Sequence, residues 1–188
     1  KTLLAQQQGS ELCIAINPFT ASTDKDFCRH QVSALIERLY RLPYKISVVM
    51  VGHSEKIRQL NLETALHLPD SNINSAVEIV RHCDLVITAD TAIVHIARAF
   101  DEPMVAVYNK RKLKDTGLPG YTIWAPGYDK ARQIVCEETN VADMTIDAAH
   151  PLPGPIPAAP APLGTVPPAP RPASLKPRHQ SYSRLVVW

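Results

Sequence analysis

At 188 residues, 45% of them hydrophobic, the chain is long enough for one domain or one and a half, with a real core. Its 20 Lys and Arg against 18 Asp and Glu leave a net charge of +2, too near neutral to mark nucleic acid or a strongly anionic surface as the general partner. A local basic site for a phosphorylated ligand is still compatible with that balance. Four cysteines, Cys13, Cys28, Cys83 and Cys136, include no C-x-x-C pair, which argues against zinc and against a disulfide framework; three sit within or beside apolar runs, and they read as buried, reduced thiols. No apolar run approaches the roughly 18 residues that span a bilayer, and the opening Lys1 to Gln8 has no signal-peptide form, so the expected address is the cytoplasm. The chain opens on Lys rather than Met, so its start is expected to lie inside a longer protein or to follow processing.

Residues 11–16 form a continuous apolar run of strand length that stops at Asn17-Pro18. The loop that follows is rich in hydroxyls, with Thr20, Ser22 and Thr23, and closes on Lys25, a composition suited to phosphate. Val32, Leu35, Ile36 and Leu39 recur at helical spacing, which predicts an amphipathic helix over about 29–42, ended by Pro43. A second strand is expected over 45–51, then a turn at Gly52 to Glu55 and a helix from about Ser54 to Leu60, with the stretch to Leu66 ambiguous. Asn72 to Ser75 offers capping residues before a helix marked by Ala76, Val77, Ile79, Val80 and Cys83.

The run Leu85 to Ile87 reads as a buried strand, and Asp90 and Thr91 stand where it stops. From Ala92, the apolar residues Ile93, Ile96, Ala97 and Phe100 take the helical period. A strand, a tight turn and a helix form a junction at a strand's carboxyl end, where helix N-terminal amides lack intrahelical partners and phosphate is well received. Thr91 is a natural N-cap, and His95, four residues on, lies on the same helix face. Pro103 precedes another strand, Met104 to Tyr108, and shorter strands are expected at Tyr121 to Trp124 and Gln133 to Cys136. Strands alternating with helices imply a parallel sheet covered by helices on both faces. The basic stretch Lys110, Arg111, Lys112 and Lys114 fits either a loop near a ligand or a solvated face.

Of the 17 prolines, eleven lie after residue 150. The expected organisation is therefore a leader or linker over 1–10, a Rossmann-like α/β domain over 11–148, which the resemblance described next makes a nucleotide-sugar-binding domain, and a Pro/Ala-rich, disordered tail over 149–188.

The motif Asp90-Thr91-Ala92-Ile93-Val94-His95, followed by Pro103 to Tyr108 and preceded by Asn17-Pro18 with Lys25, resembles the carboxyl-terminal half of glycosyltransferase family 9, the heptosyltransferases of lipopolysaccharide core assembly. The resemblance covers about residues 11–147. It implies one Rossmann-like half of a two-domain GT-B enzyme, the half that binds the donor ADP-heptose without a metal or other cofactor. Thr91, Ala92 and the following amides would hold the diphosphate with His95 close by, Thr20 would share the phosphate loop, and Glu55 would accept hydrogen bonds from the ribose. Asp90 would hold sugar hydroxyls or organise the turn. Lys25 would stabilise the ADP leaving group. The acceptor domain and its carboxylate base would lie before Lys1, so no catalytic residue is expected here and the chain alone would bind donor without turnover. The lipopolysaccharide acceptor would then be met through that missing domain, with the full enzyme peripherally associated at the inner face of the bacterial inner membrane.

The match has departures. Ala92 replaces the family's commoner Gly, so that position must avoid a left-handed backbone; Phe27 stands where Trp is frequent; and the proline-rich segment occupies the place of a final helix. Two other readings stay open: a different GT-B nucleotide-sugar enzyme, and a non-enzymatic α/β scaffold whose Pro-rich tail recruits a partner.

Overall fold

Six strands hydrogen-bond into one sheet, every pairing parallel. They are β1 (Leu12–Asn17), β2 (Ile46–Met50), β3 (Leu66–His67), β4 (Leu85–Ala89), β5 (Met104–Tyr108) and β6 (Ala131–Val135). The helices between them are α1 (Arg29–Tyr40), α2 (Ser54–Leu60), α3 (Ile73–His82), α4 (Ala92–Ala99) and the single turn α5 (Gly120–Ile123). This is a computed structural model, and it describes residues 9–145. The expected leader, but for its last two residues, and the Pro/Ala-rich tail lie outside the described residues.

The strand order is β3-β2-β1-β4-β5-β6, so the chain winds outward from β1 in one direction, then returns to β1 and winds outward in the other. Such an order opens a crevice between β1 and β4 at their carboxyl ends, the switch point where ligands bind in sheets of this kind. The register sets Asn17 of β1 against Thr88 of β4, which brings the two motif-bearing turns side by side.

Both sheet faces are covered, which is why the strands read as unbroken apolar runs rather than as alternations. Cys13, Ala15, Val49, Val51, Val86, Met104 and Ala106 form one cluster with Ala76 and Val80 of α3 and Ile93, Val94 and Ala97 of α4. The alternate residues Ile14, Ile16 and Val48 are also buried, as are Val32, Leu35, Ile36 and Leu39 of the predicted α1 stripe. Each such side chain contributes about 1.5–3 kcal/mol, so the sheet interior carries most of the stability.

Two expectations need adjustment. The segment Tyr121 to Trp124, expected as a strand, is the helical turn α5 with Trp124 at its C-cap. Pro119 sets the extended residue before it, and the Trp124 amide closes the turn on the Gly120 carbonyl at 2.8 Å, so local capping outweighs β-propensity. The ambiguous stretch to Leu66 is not helix: α2 ends where Asn61 takes a left-handed φ of 49°, and the chain enters the two-residue edge strand β3. The cysteines form no disulfide; Cys13, Cys83 and Cys136 are buried and Cys28 is half-buried.

Candidate functional site

Asn17, the last residue of β1, is a buried side chain that organises the crevice. Its Nδ2 donates to the Val51 carbonyl beyond β2 at 2.8 Å. Its Oδ1 accepts from the hydroxyls of Thr88 at 3.1 Å and Thr91 at 2.8 Å. One amide thus ties together the turns after β1, β2 and β4. Room for it depends on Gly52, whose φ is +125° and where a Cβ would stand 2.5 Å from Asn17 Nδ2.

Thr91 caps α4 as predicted, its Oγ1 accepting from the Ile93 amide at 3.2 Å. Ala92 begins that helix, and positive φ among non-glycine residues is confined to Asn61 and Asp101 in the described chain, so the Gly-to-Ala departure costs the turn nothing. Lys25 ends the short 3-10 turn Thr23–Lys25 and reaches across the crevice to Asp90, Nζ to Oδ2 2.6 Å, with side-chain exposures of 19% and 9%. Residues 65 positions apart therefore meet at the carboxyl edge of β1 and β4. Asp90's charge reaches further still: the buried Tyr108 phenol is pushed up first by its burial and then by that carboxylate.

The turn that carries Lys25 is clamped from both sides. Asp26 accepts from the Thr20 amide at 2.6 Å and from Lys56 Nζ of α2 at 2.8 Å. Asp24 accepts from Arg111 Nη1 and from Asn109 Nδ2, both at 3.0 Å, and from the Ser22 hydroxyl. Burial works to raise the Asp24 pKa, but those donors outweigh it and hold the carboxyl down to about 2. The basic run after β5 is thereby partly spent on structure, Arg111 on Asp24 and Lys110 on Glu137.

The remaining predicted residues fall less centrally. The Thr20 hydroxyl is used locally, donating to the Ser22 carbonyl at 2.7 Å and accepting from its amide at 2.9 Å. His95 is exposed on α4 and meets the Trp124 ring edge-on, centroids 5.9 Å apart. Glu55 lies in the first turn of α2 and pairs with Arg58 of the same helix, which lowers its pKa. A cavity of about 350 Å³ opens beside α2 and β3, lined in part by Met50, Ile57, Arg58, Ala65 and His67. None of the predicted site residues lines it. Lys56 and Asn109 are residues of the candidate site that the sequence does not single out, while Asn17 reads there only as the end of a strand and Arg111 only as one of a basic run. Their signal is position: Asn17 ends β1, Asn109 and Arg111 follow β5, and Lys56 lies in the first turn of α2.

Among the described residues no group of three or more His, Cys, Asp or Glu converges as a metal site, and no helix is long and apolar enough to cross a membrane. Chemically, the crevice offers one ammonium, one carboxylate, capped helix amides and hydroxyls, a set suited to holding an anion and a polyol together.

Comparison with known proteins bears on the family and the fold. The family described as glycosyltransferase family 9 (heptosyltransferase) matches residues 2–148. The "Putative lipopolysaccharide heptosyltransferase 4" of Escherichia coli (strain K12) is 27% identical over 139 residues, 72% of this chain and 38% of that protein. In fold, the chain is similar to E. coli ADP-heptose lps heptosyltransferase II, with a TM-score of 0.53 at 19% identity over 71% of this chain and 42% of that one. It is likewise similar to E. coli heptosyltransferase WaaC solved with ADP, with a TM-score of 0.54 at 16% identity over 73% of this chain and 41% of that one. The chain thus spans about two-fifths of the length of each of these relatives.

Proposed function

Because the chain belongs to glycosyltransferase family 9, we propose that it is the donor-binding half of an enzyme that moves heptose from ADP-heptose to the lipopolysaccharide core, and that the β1–β4 crevice holds the donor's diphosphate. The observation that carries this reading is the Lys25–Asp90 pair seated at the switch point beside the first turn of α4. An ammonium has three donors; one is directed at Asp90, which leaves two for phosphate oxygens. The dipole of α4 adds partial positive charge at the same place.

The reaction breaks the bond between the anomeric carbon and the β-phosphate oxygen, and the electron pair leaves with ADP. Lys25 and the α4 amides meet the charge that grows on that oxygen, so they act more strongly in the transition state than in the ground state. The acceptor hydroxyl attacks from the opposite face with inversion, and its proton passes to a base supplied by the part of the enzyme beyond this chain. Asp90, Thr91, Ala92 and His95 line the phosphate and sugar end, Thr20 shapes the loop before Lys25, and Glu55 on α2 reaches the ribose. The neighbour solved with ADP supports a nucleotide of that kind in this fold. The full enzyme works on the cytoplasmic side of the bacterial inner membrane, where its lipid-linked acceptor is presented.

Isothermal titration tests the reading. ADP binds the chain and UDP binds at least tenfold more weakly; adenosine, lacking the diphosphate, loses most of the affinity. No heat with ADP at millimolar concentration would overturn it.

A further inference from the structure

Trp124 is a large aromatic side chain left 44% exposed, although full burial of an indole is worth several kcal/mol at roughly 25 cal/mol per Å². Its backbone is nevertheless fixed at both ends. The buried Tyr108 hydroxyl donates to the Trp124 carbonyl at 2.7 Å, and the Trp124 amide donates to the Gly120 carbonyl at 2.8 Å. Its ring stands at the crevice. The point where a Cβ on Gly120 would sit is 3.9 Å from Trp124 Cδ1 and 3.3 Å from Asp90 Oδ2, so indole and carboxylate flank the same glycine. His95 braces the ring from α4.

We propose that Trp124 is a sugar platform, a specificity-determining residue that packs against the C–H face of the donor's pyranose ring beside the Lys25–Asp90 pair. The inference rests on the nucleotide-sugar reading of the site given above. The negative π face of an indole disfavours a phosphate and favours the weakly positive C–H groups of a sugar. A side chain whose orientation is set before binding loses little entropy when it packs on a ligand. Position separates sugar from base: Trp124 follows β5, on one side of the Lys25–Asp90 pair, whereas α2 with Glu55 follows β2 on the other, so the nucleoside and the glycosyl group extend in opposite directions.

The chain holds two tryptophans, Trp124 and Trp188, so a Trp188→Phe variant leaves Trp124 as the only indole reporter. Its fluorescence is expected to change on saturation with ADP-heptose, or with ADP-glucose as a second pyranose probe, and to change much less with ADP. In the full chain, Trp124→Ala weakens ADP-heptose binding about three- to tenfold and leaves ADP affinity within twofold, while Trp124→Phe restores part of the loss. Retained ADP affinity also shows that the variant is folded. Equal losses for ADP and ADP-heptose, or no loss for either, would overturn the sugar platform and leave the diphosphate site standing. Failure of the parent chain to bind ADP would overturn both.

Discussion

Of the carboxylate–cation pairs along the carboxyl edge of the sheet, Lys25–Asp90 and Glu55–Arg58 are built most differently. Lys25–Asp90 joins the turn after β1 to the turn after β4, is largely shielded from water, and exists only when the sheet is assembled. Glu55–Arg58 closes within one turn of α2, with side-chain exposures of 58% and 49%, and needs nothing beyond a helix. A pair that spans the switch point turns the whole fold into a device for placing one ammonium at a helix N-terminus. A pair within one helix turn is screened and individually weak, so Glu55 serves a ligand only by giving up Arg58. In the proposed donor site the β1–β4 wall is therefore the rigid half and the β2 wall the adjustable half.

The sharpest way to break this contrast is at Asn17. Asn17→Ala removes the partner of the Val51 carbonyl and of two hydroxyls, and is expected to destabilise the chain by about 1–3 kcal/mol in urea unfolding. Gly52→Val, which sets a Cβ at a positive φ and against the same amide, should act through the same joint and give a loss that is not additive with Asn17→Ala. Next in size, Lys25→Ala removes a charge-assisted contact and should weaken ADP roughly ten- to a hundredfold while adenosine is little changed.

Asp24 gives a smaller effect with a defined pH signature. Its carboxyl titrates at about 2 in the folded chain, below the ~3.9 of an unfolded one, so it stabilises the fold above pH ~4 and loses that contribution as pH falls from ~4 toward 2. Urea unfolding of the parent and of Asp24→Asn should therefore differ at neutral pH and converge across that window. The smallest effect is at Glu55, where Glu55→Gln should change ADP affinity by less than about threefold, because its pair is local and solvated. A loss at Glu55 as large as that at Lys25 would erase the distinction between the two walls.

The same contrast explains what could be read from the sequence. Each buried strand announces itself locally: Leu12 to Asn17, Leu85 to Ala89 and Met104 to Tyr108 are apolar runs bounded by turn residues, and α1 and α4 carry regular stripes. The motif from Asp90 to His95 and the resemblance it carries are local too. By contrast, β3 is two residues long with no pattern to read, and the Trp124 segment reads as a strand because aromatic residues suit one, until Pro119 and the Gly120 turn decide otherwise. The clamps on the Lys25 turn were invisible for a different reason. Arg111 finds Asp24, and Asn17 finds Thr91, only because parallel crossovers bring distant strand ends to one edge. An acid and a base far apart in sequence carry no mark of their pairing.

On the proposed reading the diphosphate lies at the β1–β4 junction and not in the cavity beside β3. Hydrogen–deuterium exchange with and without saturating ADP tests it directly. New amide protection is expected in residues 18–26 and 89–95, abolished by Lys25→Ala. Protection confined to residues 57–67, around the cavity, with the two junction segments unchanged, would contradict it.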